Sequence, residues 1–381
     1  MASPDGPGVA LRLIRALMWL PPDLQPDIVD GLLDEAEKVY SENASVDVTV
    51  LDLKARRSRD AMDARALRVR QVERWRRAAK EASGLLRFVH LQTALELART
   101  SGLSDLADQV RREMHQVDLD LKKLSTAVLI PAEQVEGLVS AFDDEKDWRG
   151  SLLRFGVYGP PSGDFQQNIA AVENQMRAAP LQYLVTKVML GPDNTPVRVV
   201  SSEADHREVA LSEHEARGVA LWALFSAEIL DRIHLRHGLP DAGDLTKFFT
   251  TPLIPQDTAE RIGQAVLLYW QDQPDESGHL LIPRLEATVR TIARECGLAT
   301  FREPLGEKLG GARGLGDLLV ALKGRLDESW RRYLVNLLSD PVGVNLRNRI
   351  AHGLLPRVLK TDAALLIHAA CHLSLVRVGE E

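Results

Sequence analysis

The 381-residue chain has only two cysteines, Cys296 and Cys371, with neither a metal spacing nor the number a disulfide framework needs. That usage fits a reduced, cytoplasmic protein. Long hydrophobic runs are missing too. The opening apolar stretch from Val9 to Leu20 is interrupted by Arg12 and Arg15, is too short for a membrane span, and lacks a small-residue cleavage site. No later segment approaches spanning length, so no membrane association is expected. No repeat of fixed period is visible. Gly306, Gly310, Gly311, Gly314 and Gly316 surround Lys308 and Arg313, but no Gly-Lys-Ser/Thr opens a helix there, which excludes a phosphate-binding loop. A nucleophile elbow, a metalloprotease helix and a dinucleotide fingerprint are absent as well. His234/His237 and His368/His372 are paired at helical spacing without a third ligand, so neither a metal nor a cofactor is expected.

What is present is enough apolar content, 45%, to bury cores, and a length that suggests two or three domains. The formal charge of −7 argues neither for nor against nucleic acid. Its distribution is more informative. Between Lys54 and Arg87 stand twelve Lys/Arg and four Asp/Glu, a local charge of +8 in an otherwise acidic chain. Arg70, Arg74 and Arg77 are its candidate RNA-phosphate contacts. The plain alternative is a solvated helix face neutralised by acidic segments of the same protein, with Asp143-Asp144-Glu145 a candidate counter-charge.

The patterning is mainly α. Helices are expected near Val9–Leu20, Asp27–Tyr40, Ala64–Arg99, Leu103–Leu124 and Ala132–Phe142. The longest carries an inward stripe of Val72, Trp75, Ala79, Ala82, Leu86 and Val89. Alternating Val46, Val48 and Val50 suggest a short strand. Gly156 to Gly163, containing Pro160-Pro161, reads as a linker. Beyond it, Leu181–Leu190 and Val197–Ser201 read as a β-hairpin, and Ser212-x-x-Glu215 as a capping box opening a helix. His234 and His237 near that helix's end complement its dipole. Thr250-Thr251-Pro252 marks a second boundary. Further helices are expected at Asp257–Asp272, Leu280–Cys296, Leu315–Leu322, Leu326–Leu338, Val344–Leu355 and Thr361–Val378. The expected organisation is a helical N-terminal domain (1–155), a middle α+β region (156–250) and a C-terminal helical bundle (251–381).

The most distinctive string is Leu346-Arg347-Asn348-Arg349-Ile350-Ala351-His352-Gly353, bracketed by Pro341 and Pro356. Leu346, Ile350 and Leu354 recur every four residues and should face inward. Asn348 and His352 share a face, so the amide can orient the imidazole. Arg347 lies five residues before His352, ~140° around an ideal helix. Glu286 and Arg290 form an i,i+4 pair on an earlier helix.

These residues resemble the HEPN superfamily of all-helical nucleotide-binding and RNase domains. The string Arg347-Asn348-x-x-x-His352-Gly353 is similar to a bacterial branch, a domain of unknown function with a C-terminal RNxxxHG motif, and residues 279–290 resemble that branch too. Where some HEPN toxins carry a modified tyrosine two places after the histidine, this chain has Leu354. The resemblance implies a metal-independent endoribonuclease. His352 would act as base or acid, Arg347 would clamp phosphate, and Asn348 would hold the imidazole or a ribose hydroxyl. It also implies support from Glu286 and Arg290, an RNA contact through Arg349, and a homodimer paired through the C-terminal domain. An effector in antiviral or toxin-like defence, with a defence-system partner protein, is the corresponding role. The alternatives are a non-catalytic helical RNA- or partner-binding protein and a nucleotide-binding regulatory subunit.

Overall fold

The computed structural model describes residues 9–19, 28–119, 129–143, 145–190, 196–304, 306 and 309–377. Leu20, the helix end at 120–124, Asp144, the hairpin loop 191–195, Lys308 and Val378 lie outside the described residues. The chain is mainly α, with seventeen helices and two small two-stranded sheets among those residues. It forms two compact units, Met1–Thr126 with Leu190–Thr195, and Ala127–Met189 with Pro196–Glu381. The division thus falls elsewhere than the expected boundaries after residues 155 and 250.

The first unit runs α1 (Ala10–Leu17), α2 (Ile28–Val39), α3 (Ala44–Arg57), α4 (Ala61–Glu81), α5 (Gly84–Thr100) and α6 (Ser104–His115), each packed on the next. Two expectations are corrected here. Val46–Val50 is not a strand but part of α3, because Asn43 caps the helix by accepting from the Val46 N–H at 3.3 Å. Val46, Val50 and Leu53 then share one buried face with Leu33 and Tyr40. Residues that alternate in a strand also fall four apart, and the cap decides between the two. The long stripe of 64–99 is broken at Ala82-Ser83, and Gly84 restarts the chain at φ +54, where a side chain would be strained. That break resets the helical phase. Phe88, Leu91 and Leu95 face inward, while Leu86 and Val89 are exposed.

The second unit begins with α7 (Ala132–Val139), which tightens into a 3-10 turn at Ser140–Phe142, then α8 (Trp148–Val157) and α9 (Phe165–Ala178). The hairpin follows as β1 (Lys187–Leu190) and β2 (Pro196–Val200), shorter than expected because Pro180–Tyr183 forms a 3-10 turn. Next come α10 (Glu203–His237), α11 (Ala242–Phe249), α12 (Gln256–Trp270) and α13 (Pro274–Glu295). The small pair β3 (Phe301–Arg302) and β4 (Gly311–Ala312) is antiparallel, Phe301 opposite Ala312. The chain ends in α14 (Leu315–Ala321), α15 (Glu328–Leu338), α16 (Leu346–Ala351) and α17 (Lys360–Leu375).

Packing in this unit is organised by α17, whose residues Ala363–Cys371 are all buried. A helix apolar on every side must be surrounded, and α8, α10, α12 and α13 all pack against it. Close approach requires small residues. A Cβ at Gly156 would stand 2.9 Å from the Cys371 carbonyl carbon. Gly156 is therefore an interior residue of α8, not the start of a linker. The capping expectation is also corrected. The box that opens α10 is Ser202 with Asp205, ten residues upstream, and Ser212 and Glu215 are buried in mid-helix.

Glu215 is buried because Arg332 of α15 reaches it, with Nε at 2.9 Å and Nη2 at 2.7 Å, while Nη1 bonds Glu208. Removing one member of a buried pair leaves the other desolvated and uncompensated. Arg332→Met should therefore lower unfolding free energy by roughly 3–5 kcal/mol, and Arg332→Met with Glu215→Leu should recover most of it. Urea denaturation of both variants checks this.

One buried and one half-buried histidine predict a pH dependence. His372 stacks on Trp330 with centroids 3.4 Å apart, and its Nδ1 lies 3.2 Å from the Gly156 carbonyl. His368 packs edge-on against Phe155 and Tyr333. Burial holds both neutral, with pKa values pushed down to about 4 and about 3. The unfolded chain binds these protons near pH ~6.5 and the folded chain far lower, so stability is full above that pH and falls on acidification. The slope is about 1.4 kcal/mol per pH unit for each histidine between pH ~6 and the folded values. Denaturation midpoints at pH 7 and pH 5 should differ accordingly, and His372→Gln should flatten the dependence.

Candidate active site

Arg347 sits on α16, a helix of six residues fixed at both ends by identifiable contacts. At its start, Gly343 passes so close to α15 that a Cβ would meet the Asn336 carbonyl oxygen at 2.6 Å. Buried Asn336 accepts the Asn345 N–H on its carbonyl at 3.1 Å and donates through Nδ2 to the Ser212 carbonyl at 2.9 Å. Asn345 then takes φ +56, a left-handed conformation that asparagine tolerates better than most residues. At the other end, His352 is the C-cap and Gly353 follows at φ +67. The Leu354 N–H returns to the Arg349 carbonyl at 2.8 Å and the Gly353 N–H to Ile350 at 3.2 Å. This glycine-terminated Schellman motif is what the His-Gly of the string encodes structurally. It ends the helix earlier than residue 355. Leu346 is fully buried and Ile350 partly so, but Leu354 is exposed instead of facing inward.

The Arg347 guanidinium is held by three contacts. Nε donates to Glu286 Oε2 at 3.1 Å, Nη2 forms an ion pair with the same oxygen at 3.0 Å, and Nη1 donates to Asn348 Oδ1 at 2.8 Å. Three of the five guanidinium N–H groups donate no hydrogen bond among the described residues, on a side chain still 27% exposed. Glu286 comes from α13, which begins at Pro274 rather than near Leu280, since proline is well placed in a first helical turn. Its other oxygen accepts from Arg290 at 3.0 Å, and Arg290 Nη1 donates to the Thr300 carbonyl at 3.1 Å. Two guanidinium groups on one carboxylate leave a local charge of +1.

The structure thus joins Arg347, Asn348, Glu286 and Arg290 in one network, at a sequence separation of 61 residues between Arg347 and Glu286. The expected amide–imidazole contact is replaced. Asn348 uses Oδ1 for Arg347 and Nδ2 for Asn345, at 2.8 Å, and its link to His352 is the backbone bond from the His352 N–H at 3.0 Å. His352 itself is exposed. Arg349 directs Nη1 to the Val344 carbonyl at 3.5 Å, and its charge acts on the Asp362 carboxyl. The residues that sequence reasoning missed are Asn336 and Gly343. A Gly two residues before an Asn-Leu helix start was their only visible signal.

The basic segment lies wholly in the first unit. Arg70 pairs with Glu37, Arg74 with Asp47 at 3.1 Å, Arg68 with Asp52, and Arg76 with Glu113. Arg77 is exposed. The counter-charges come from α2, α3 and α6. Asp143 and Glu145 instead serve α8 and α10, facing Arg232, Arg236 and Arg154 at 3.5–3.7 Å. No group of three or more His, Cys, Asp or Glu residues that could hold a metal occurs among the described residues. No described helix is long and apolar enough to cross a membrane. Comparison of the chain with protein-family models, curated proteins and solved structures finds no match.

The Arg347 network makes a direct prediction. Glu286→Gln keeps the side-chain shape but removes the charge that two guanidinium groups share. Charged hydrogen bonds of this kind are worth about 1.5–3 kcal/mol, so a loss of ~2 kcal/mol in unfolding free energy is expected. A urea midpoint equal to wild type would show that the pair does not hold α16 in place.

Proposed function

We propose that the chain is a metal-independent endoribonuclease acting through Arg347 and His352. The observation that carries this reading is the clamped guanidinium. Arg347 is fixed by Glu286 and Asn348 while N–H groups on Nη1 and Nη2 donate to no described residue, on the same short helix that ends in an exposed histidine. RNA cleavage by internal attack forms a bond from the 2′-oxygen to phosphorus and breaks the bond to the 5′-oxygen. A base must take the 2′-hydroxyl proton and an acid must supply one to the leaving oxygen. An imidazole is suited to either task near neutral pH. Arg347 offers planar donors to the phosphate oxygens as charge grows on them, and it does not deprotonate. The products would be a 2′,3′-cyclic phosphate and a 5′-hydroxyl.

One histidine per chain supplies one of the two proton transfers. A homodimer paired through the C-terminal residues would bring a second His352 and a second Arg347 to the same cleft, with Asn345, Arg349 and Leu355 near the contact. The resemblance to HEPN ribonucleases supports this arrangement, and with it a role in antiviral or toxin-like defence alongside a partner protein. Arg70, Arg74 and Arg77 are the proposed RNA contacts of the first unit.

One observation favours a second reading, in which the chain binds RNA, a nucleotide or an acidic partner without cleavage. Asn348 has both ends of its amide engaged away from His352, so the imidazole is not preset in the free chain.

Incubation of the purified chain with total and transfer RNA decides between them. Cleavage should survive EDTA and fall at least ~10²-fold in His352→Ala, the scale of acid–base catalysis. Retained RNA binding with no cleavage in wild type supports the second reading. Light scattering should report an even oligomer in the active preparation.

A further inference from the structure

A cavity of about 510 Å³ lies in the second unit, between α10 and the loop that joins α8 to α9. It is remote in sequence from α16 and takes no part in the chemistry above. One wall is a single face of α10, on which His214, Arg217, Gly218, Leu221, Trp222 and Phe225 follow steps of three and four. The face is graded along its ~12 Å from Arg217 to Phe225, at 1.5 Å per residue. Its first end is cationic and its last end aromatic. Gly218 sits between them, where a Cβ would meet the Pro161 carbonyl oxygen at 3.0 Å, so the loop is drawn in close to the helix.

The opposite wall is rigid. Pro160 and Pro161 fix the backbone, a Gly163 N–H to Pro160 carbonyl bond of 2.8 Å closes the turn, and Asn168 Nδ2 ties the loop through the Ser162 carbonyl at 2.8 Å. Tyr158 stacks on Trp222 with planes 15° apart and centroids at 5.3 Å, extending the aromatic end.

Two features bear on what such a cavity takes. No Asp or Glu lines the cavity, and Arg217 forms no ion pair among the described residues. His214 is held toward its neutral form by burial and by Arg217, leaving a donor and an acceptor beside the cation.

We propose that this cavity binds a small planar aromatic anion, its ring against Tyr158, Trp222 and Phe225 and its anionic group on Arg217. A mononucleotide and an aromatic carboxylate share this chemistry, and the test separates them. The assignment is independent of the ribonuclease reading.

Isothermal titration of the full chain carrying His352→Ala keeps the two apart. The probes are 5′-AMP and indole-3-acetate, with adenosine and inorganic phosphate as the two halves of the first. At least one aromatic anion should bind, and each half should bind about tenfold more weakly or worse. Arg217→Gln, an exposed position that folding tolerates, should weaken the bound anion at least ~10-fold, as loss of one charged hydrogen bond requires. Trp222→Leu, which removes the main stacking surface, should abolish it. Absence of binding for both anions at millimolar concentration overturns the proposal, as does affinity unchanged in Arg217→Gln.

Discussion

The constraint on which the second unit depends is the burial of α17 on every side. A sixteen-residue helix with no polar face has no stable exposed orientation, so its neighbours must surround it. That requirement sets the positions of α8, α10, α12 and α13. It also explains the small residues along the seam, since Ala363, Ala364, Ala369, Ala370 and Gly156 let backbones approach where larger side chains would hold them apart. Even the histidines of α17 obey it. They stay neutral, His368 placing Nδ1 against the Tyr333 hydroxyl and His372 stacking on Trp330 with Nδ1 against the Gly156 carbonyl.

The candidate site is a downstream product of this packing. Helix α15 is fixed to α10 by two successive polar contacts, Arg332 to Glu215 and Asn336 to the Ser212 carbonyl. Asn336 then anchors the turn that starts α16. Arg347 is thereby delivered to Glu286 on α13, a helix packed against α17. Each step uses a directional hydrogen bond on an apolar scaffold, a division of labour that lets a six-residue helix hold a guanidinium to within hydrogen-bond tolerance.

The first unit solves a different problem. Its concentration of arginines is balanced locally, by carboxylates one or two helices away in sequence. Most of these pairs are partly buried, and Asp47 is buried outright, so salt screens them less than it screens pairs at the open surface. What they do is hold guanidinium groups in place with their charge partly spent. A phosphate arriving at Arg70 or Arg74 would compete with Glu37 or Asp47 for it.

The sequence by itself determined the helical class, most helix positions of the second unit, and the string at 346–353. Those features rest on local periodicity, on proline and on a glycine at a helix end, all of which act within a few residues. Gly353 as a left-handed terminator after His352 is of that kind. Ambiguity arose where one local pattern fits two periods, as at Val46–Val50, or where a cap motif recurs, as at Ser202 and Ser212. Tertiary structure alone decided that Glu215 is a buried partner of Arg332 instead of a cap. It alone decided that Gly156 is a packing residue, and that Asn348 faces Arg347 and Asn345. Each of those outcomes depends on what a distant helix brings to the residue, and no spacing along the chain carries that information.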